Sequence, residues 1–154
     1  METKYYVDYI VEQAKNLLAI GSPSGFTNDA AAYLLDEYRK LGYEPALTVK
    51  GGVLVDLGGK QKDNGILIEA HVDTLGAMVA EVSGNGRLRL TPLGGLNANN
   101  AEAENCTIIT RNGKQYEGTF QLKNASIHVN GEYDKTGRDF DTMEVVIDED
   151  TDSK

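Results

Sequence analysis

Cysteine, tryptophan and proline are scarce in this chain of 154 residues, which contains one cysteine, no tryptophan and three prolines. The single cysteine, Cys106, excludes an internal disulfide and a CxxC metal motif, and it favours a reducing compartment. No apolar run approaches the length of a membrane span. The opening residues, METKYYVDY, also lack the basic and apolar regions of a signal peptide. These absences predict a cytoplasmic protein.

Positive charge is in short supply as well. Lys and Arg together number 15 against 24 Asp and Glu, which gives a formal net charge of -9 at pH 7. Nucleic acids and anionic membranes bind through clustered Lys and Arg, so neither is predicted as a partner. The 17 glycines form no GxGxxG or P-loop motif, and a nucleotide cofactor is therefore not expected.

What the sequence does contain begins with two amphipathic helices. Apolar residues recur at helical spacing over residues 7–18 and again over residues 31–38. The segment between them, SPSGFTN at 22–28, reads as a loop whose Thr27 or Asn28 can cap the second helix. The pattern therefore predicts two helices joined by a short polar loop.

A change of period after the helices indicates a sheet. Residues 44–49, 53–57 and 66–70 predict three strands, with the polar segment 58–65 before the third. The third strand, GILIEAH, is rich in aliphatic residues and looks the most buried. Two helices followed by such strands are typical of an α/β layer domain.

The second half of the chain carries no long helical pattern. Its short alternating runs predict two β-hairpins and two further strands, at 77–82 with 87–91, 106–110 with 114–120, 125–129 and 143–147. Residues 96–105, LNANNAEAEN, are predicted to form a mobile loop. Closely spaced short strands favour a small β-barrel or sandwich, and we place the boundary between the two regions near Gly76.

One of the two histidines, His71, follows the third predicted strand, with Asp73 two residues later. Residues two apart on an extended chain point the same way, so both side chains can lie on one side of the strand end. Neutral imidazole commonly binds transition metals, and its other ring N–H is usually held by a carboxylate or carbonyl. The pattern fits one metal ligand and a supporting acid, although a hydrogen-bonded structural His is the commoner role for such a residue.

Other candidate residues receive structural interpretations. His128 lies in an alternating run and favours a structural or domain-contact role, and Cys106 is interpreted as a small buried hydrophobe. Ser22 and Ser24 have no His and Asp close to them in the sequence and no nucleophile elbow, so a serine hydrolase is not predicted.

The order of several segments resembles the amino-terminal part of the glutamyl-aminopeptidase family, cytosolic dinuclear metallo-aminopeptidases that include the tetrahedral (TET) particles. The resemblance runs along almost the whole chain. It rests on SPSGFTNDAAAYLLDEYRKLGYEP, GGVLVDLGG, GILIEAHVDTLGAMV, GRLRLTPLGGL and GTFQLKNASIHV. The matches include the Ser24-Gly25 loop, the Ala-His-X-Asp motif that ends at Asp73, and TPLGGL at 91–96. His128 falls where the family often has a His.

The resemblance implies an α/β fold in two parts. Residues 1–75 would be the first part of a zinc-peptidase α/β sheet domain, and residues 76–154 a small inserted β-barrel, incomplete here, that helps subunits associate. His71 would bind one of two divalent metal ions, zinc or cobalt, and Asp73 would take part in catalysis by orienting His71. The reaction would be hydrolysis of the N-terminal peptide bond of short peptides, by a cytoplasmic homo-oligomer.

The chain departs from the family pattern in what it offers a metal. Thr74 stands where family members commonly carry Glu. The family's bridging Asp, its Glu-Glu pair with the general base, a further acidic ligand and the last His would all follow the barrel. A catalytic zinc takes about three protein ligands, whereas this sequence offers only His71. We therefore expect an amino-terminal segment that binds metal weakly or not at all and is inactive by itself.

Two alternatives remain open. In the first, the chain acts alone as an interaction or oligomerisation module whose functional part is the β-barrel, without catalysis. In the second, it is a relative of the M20-type carboxypeptidases, which share the His-X-Asp strand end. The barrel-like second half argues against the second alternative, because the inserted domain of those enzymes mixes helices with its sheet.

Overall fold

The computed structural model describes residues 3–61 and 63–150. The chain divides between Leu75 and Gly76 into two compact units, Met1–Leu75 and Gly76–Lys154. Among the described residues, no helix is long and apolar enough to cross a membrane.

The first unit begins with the two predicted helices, α1 (Thr3–Leu18) and α2 (Asn28–Lys40). Gln13 joins them, because its amide donates to Glu37 Oε2 at 3.0 Å and accepts from the Tyr33 hydroxyl at 2.7 Å. Thr27 is the N-cap residue of α2, as predicted, but its side chain makes no capping hydrogen bond. Both helix predictions are confirmed.

The sheet of the first unit is much smaller than the sequence predicts. It consists of β1 (Ala46–Leu47) and β2 (Val53–Leu54), which pair antiparallel. The predicted strand at 66–70 is wrong: this segment forms no strand, and Ile66, Leu67 and Ile68 are 90%, 74% and 85% exposed. The physical reason is that a strand needs a partner, and residues 66–70 pair with no strand in the part of the chain that the structure describes.

The second unit is a five-stranded antiparallel sheet with the order β3-β4-β7-β6-β5. Its elements are β3 (Gly76–Val82), β4 (Leu88–Leu93), a short helix α3 (Ala98–Ala101), β5 (Asn105–Ile109), β6 (Gln115–Leu122) and β7 (Met143–Ile147). Both predicted hairpins and the last predicted strand are confirmed. β3 and β5 are the two edges of this sheet, so the sheet is open in the part of the chain that the structure describes. A closed barrel remains a prediction.

The core of the second unit lies on one face of β4, β6 and β7. Alternate residues of β6 are buried, as expected for a strand with one covered face. The core side chains are Leu88, Ala98, Phe120, Leu122, Met143 and Val145. All of these core residues belong to the second unit, so the burial of their side chains stabilises its sheet.

Two predictions for the connecting segments are wrong. Residues 127–129 form a turn and residues 125–126 have no regular structure, in place of the strand predicted at 125–129. Residues 96–105 contain α3 and the first residue of β5 instead of one continuous loop. The Asn97 side chain accepts from the Asn99 backbone N–H at 2.9 Å and so caps α3. Asn is one of the residues that favour helix N-caps, so the sequence contained a signal for α3. The polar composition of residues 96–105 favoured a loop instead.

Arg138 organises the long connection between β6 and β7. Its guanidinium donates to Glu102 Oε2 at 3.0 Å and to the carbonyl oxygens of Tyr133 and Thr136 at 2.8 Å each. It also lies over the Tyr133 ring, 4.6 Å from the ring centroid. The hydrogen bonds of Arg138 and its contact with the Tyr133 ring thus hold this segment, which has no regular secondary structure.

Candidate functional site

The candidate site lies in the first unit, where residues 71–74 run beside the loop that joins α1 to α2. Pro23 and Thr74 form an isolated parallel bridge. The Thr74 backbone N–H donates to the Ser22 carbonyl at 3.0 Å, and the Ser22 backbone N–H donates to Thr74 Oγ1 at 3.1 Å. Two segments about fifty residues apart in sequence are therefore joined by backbone and side-chain hydrogen bonds.

Ser22 anchors this junction from the inside. Its side chain is buried, and its hydroxyl donates to the Val72 carbonyl at 2.7 Å. Val72 lies between His71 and Asp73, so this bond fixes the backbone that carries both candidate site residues. Thr74, which stands where the resembled family commonly has Glu, contributes its hydroxyl to the same junction instead of an acid to the site.

His71 and Asp73 are brought together as the sequence predicts. His71 Nδ1 lies 2.9 Å from Asp73 Oδ1 and 3.1 Å from the Asp73 carbonyl oxygen. Both neighbours are acceptors, so the tautomer that suits this geometry carries its proton on Nδ1. The side chain of His71 is 84% exposed, which leaves the Nε2 lone pair open to solvent.

Ser24 supplies a contact that the sequence prediction missed. Its hydroxyl donates to Asp73 Oδ2 at 2.7 Å, so each carboxylate oxygen of Asp73 accepts a separate hydrogen bond. The bonds from Ser24 and then from His71 lower the pKa of the Asp73 carboxyl below its ordinary value. Asp73 is therefore a carboxylate at neutral pH, suited to hold the imidazole N–H and not to donate a proton.

The order of these contacts is not that of a serine protease. A nucleophilic serine must give its proton to the histidine, and the acid holds the far side of the ring. Ser24 instead contacts Asp73, on the opposite side of that acid from His71. The three residues form a chain from hydroxyl to carboxylate to imidazole, in which the carboxylate lies in the middle and the imidazole nitrogen Nε2 is the free end.

The donor set at this site suits one bond to a divalent metal ion. Nε2 of a neutral His held at Nδ1 by a carboxylate is a common ligand arrangement for such ions. Within residues 3–61 and 63–150, no group of three or more His, Cys, Asp and Glu side chains is placed to hold a metal. Since a catalytic zinc takes about three protein ligands, His71 fits a metal as a single ligand and the described residues do not complete the site.

The remaining candidates, Cys106 and His128, lie in the second unit. Cys106, on β5, is half-buried, and burial raises the pKa of its thiol above the ordinary value, which makes it a poor nucleophile. His128 is exposed on a turn in which the Val129 and Asn130 backbone N–H groups donate to the Ser126 carbonyl.

Ser22, Ser24 and Thr74 are the site residues that reasoning from the sequence missed. Local spacing cannot reveal them, since the loop and the His71 segment lie far apart in the chain. The only signal was that the Ser24-Gly25 loop and the His-X-Asp motif both belong to the resemblance described above. Gly25 has a φ of +86°, a left-handed conformation that favours glycine after Ser24.

Comparison with known proteins identifies the family. The sequence profile of the M42 glutamyl aminopeptidases matches residues 51–154. The protein YhfE of Bacillus subtilis, strain 168, is 37% identical over 139 residues, which are 90% of this chain and 40% of YhfE.

Two solved structures from archaea have the same fold. The aminopeptidase APDkam598 of Desulfurococcus kamchatkensis superposes with a TM-score of 0.81 at 22% identity, over 97% of this chain and 39% of that one. The TET1 peptidase of Pyrococcus horikoshii, which can assemble into a tetrahedron or a large octahedral shell, gives a TM-score of 0.76 at 22% identity. That match covers 93% of this chain and 41% of the TET1 chain.

These matches cover most of this chain but less than half of each related protein. The chain spans about 40% of the length of these three proteins. The family profile covers well over half of the chain, from Gly51 to its last residue, and includes the His71 and Asp73 motif. The chain therefore belongs to the M42 family of glutamyl aminopeptidases.

Proposed function

We propose that this chain is the amino-terminal segment of a metal-dependent aminopeptidase that removes N-terminal residues from short peptides. The observation that carries the proposal is the pairing of His71 with Asp73 in a member of the M42 family. An exposed imidazole held at Nδ1 by an ionised carboxylate has no evident structural task on this surface, whereas it matches what a metal ligand requires.

The roles of the two residues follow from their geometry. His71 would offer Nε2 to one of two divalent ions, zinc or cobalt. Asp73 would keep the Nδ1 proton in place and so fix both the tautomer and the direction of the ring. Bound metal would polarise the substrate carbonyl and lower the pKa of a bound water.

Ligand counting limits what this chain does alone. It supplies one ligand, and the resembled family draws its other ligands and its general base from later residues. We propose that those groups belong to a part of the protein outside this chain, which spans about 40% of its relatives. By itself the chain would bind metal weakly and would hydrolyse no peptides.

The proposal extends to the setting of the whole enzyme. Residues 1–75 would belong to its catalytic α/β domain, and residues 76–154 to an inserted β-barrel that associates subunits. The enzyme would be a cytoplasmic homo-oligomer without nucleic-acid or membrane partners. The assembly of the Pyrococcus horikoshii TET1 peptidase into closed shells supports the oligomeric part of this proposal.

Calorimetric titration with zinc and with cobalt tests the metal role. We expect weak binding at a single site, lost in His71→Ala and retained in His128→Ala, which removes the other histidine. Assays with short peptides should show no turnover. Equal binding by the His71→Ala variant would contradict the proposed ligand, and tight binding at two sites would contradict the proposed need for residues outside this chain.

A second candidate function is an interaction module without catalysis. The favouring observation is the edge strand β3, which exposes Met78, Val79 and Val82 on a unit that has its own core. This alternative predicts a dimer or larger assembly of defined size that Val79→Lys dissociates. Light scattering on the natural chain and on Val79→Lys measures this dissociation. The zinc titration then decides between the two candidates, because only the enzyme proposal requires zinc binding that is lost in His71→Ala.

A further inference from the structure

We infer that Ser24 is a positioning residue for His71 and acts through the Asp73 carboxylate. This inference rests on the proposed function, in which His71 is a metal ligand. It goes beyond that function because it assigns a role to the loop between α1 and α2, almost fifty residues before the histidine.

The first step concerns the freedom of the Asp73 side chain. That side chain is 41% exposed and follows a segment with no regular strand, so packing alone does not fix its rotamer. The bond to His71 would leave one carboxylate oxygen free to exchange with water. Ser24 occupies that oxygen at 2.7 Å, and a carboxylate held at both oxygens presents Oδ1 to the imidazole in one direction.

The second step concerns the rigidity of Ser24. Its loop is closed by a turn in which the Phe26 N–H donates to the Pro23 carbonyl at 2.8 Å. On the other side, the buried Ser22 bonds to residues 72–74 through its backbone and its hydroxyl. The loop that carries Ser24 is therefore bonded to the backbone that carries Asp73, so the Ser24 and Asp73 side chains stay in a fixed position relative to each other.

The third step separates the tasks of the two serines. The Ser22 hydroxyl is buried and bonds to a backbone carbonyl, so it holds the main chain. The Ser24 hydroxyl bonds to a carboxylate and lies in an exposed residue, so it holds a side chain. Removal of the Ser24 hydroxyl should leave the backbone junction intact and release only the carboxylate.

The consequence can be observed on His71 without any metal. A neutral histidine side chain in water prefers the tautomer with its proton on Nε2, whereas an Nδ1–H bond to a carboxylate stabilises the other tautomer. The fraction of His71 with its proton on Nδ1 therefore reports how well Asp73 is held. His128, the other histidine, serves as an internal reference in the same spectrum.

The test is a long-range proton–nitrogen NMR correlation on the whole chain with labelled histidine, at a pH where both rings are neutral. We expect His71 to be mainly the Nδ1–H tautomer in the natural sequence and mainly Nε2–H in Asp73→Ala. Ser24→Ala should move the His71 ratio at least half of the way to the Asp73→Ala value. Ser24→Thr, which keeps the hydroxyl, should restore the ratio, while His128 stays constant throughout.

Thr27→Ala is the matched control. It removes a hydroxyl from the same loop, and that hydroxyl makes no capping hydrogen bond. Circular dichroism verifies the fold of each variant, and Ser24→Cys replaces Ser24→Ala if the latter unfolds. A Ser24→Ala ratio equal to that of the natural sequence overturns the inference, as does a natural His71 already in the Nε2–H form.

Zinc titration of the same variants keeps the two ideas separate. If the tautomer follows Ser24 while zinc binding does not depend on His71, the positioning role stands and the proposed metal role fails. If zinc binding depends on His71 but the tautomer ignores Ser24, the proposed function stands and this inference fails. Where both hold, Ser24→Ala should weaken zinc binding several-fold and Ser24→Thr should restore it.

Discussion

Two carboxylates in this chain are fixed by hydrogen bonds without being buried. Asp73 accepts from Ser24 and His71, and Asp139 accepts from the backbone N–H groups of Asp141 and Thr142 at 2.8 Å each. In both cases donors lower the pKa of the carboxyl, with the Thr142 backbone contributing most at Asp139. At the scale of the residue, two hydrogen-bond donors, and not packing, fix the direction of each carboxylate.

The Asp139 turn gives a pH-dependent prediction. The folded state holds Asp139 ionised, so its carboxyl pKa lies below the ordinary value of 3.8 and the unfolded state binds the proton more readily. The resulting stability is complete above about pH 5, begins to fall near the unfolded pKa and is lost as the pH falls through the folded pKa. Asp139→Asn can still accept the backbone bonds but has no charge to titrate.

We therefore expect the urea midpoint of the natural chain to fall more between pH 7 and pH 3 than that of Asp139→Asn. Asp73 is present in both proteins, so its own titration cancels in the difference. Asp134→Asn, which alters an exposed acid of the same connection, should behave like the natural chain. Equal losses in Asp139→Asn and the natural chain would show that this turn does not contribute to acid sensitivity.

At the scale of the element, the pairing of β6 with β7 depends on Gly118. A Cβ atom at this position would lie 2.7 Å from the Val146 carbonyl oxygen, 2.9 Å from Val145 Cγ1 and 3.0 Å from Ile108 Cδ1. The first contact is with backbone, which cannot rotate away as a side chain can. The close approach of the two strands is therefore possible because position 118 has no side chain.

Gly118→Ala should lower the free energy of unfolding of the second unit by about 1–3 kcal/mol, the usual cost of overpacking a well-packed site. Gly84→Ala is the control, since a Cβ there meets nothing within 4 Å. Urea denaturation followed by circular dichroism measures both variants. A change of less than half a kcal/mol in Gly118→Ala, similar to that in Gly84→Ala, would mean that the strands separate at little cost.

What the sequence predicts well is also decided at the scale of the element. The hairpins β3-β4 and β5-β6 were predicted because each depends on residues close together in sequence, with a turn between two alternating runs. Residues 66–70 were predicted as a strand because their composition suits one, but no local feature shows whether a partner strand exists. The contact of Ser24 with Asp73 was missed for the same reason, since it joins distant segments.

At the scale of the whole molecule, the chain presents apolar residues that an isolated protein would usually cover. Ile66, Leu67 and Ile68 form a run of three such residues just before His71, and each of them is more exposed than any residue of the run Tyr5, Tyr6 and Val7. A run of exposed apolar residues with unpaired backbone groups favours association with another chain. The chain spans about 40% of the length of YhfE and of APDkam598, in line with the proposal that further parts of the enzyme lie outside it.

The exposed run predicts that the isolated chain self-associates. Ile68→Lys places a charge in the middle of the run and should return the weight-average mass, measured by light scattering over a range of concentrations, towards that of the monomer. Val129→Lys is the matched control, because Val129 is 78% exposed but lies on a turn of the second unit, between the polar residues His128 and Asn130. The net charge of -9 opposes association, so added salt should strengthen it in the natural chain by screening that repulsion. A natural chain that stays monomeric at all concentrations, or an equal effect of both substitutions, would show that residues 66–68 do not drive association.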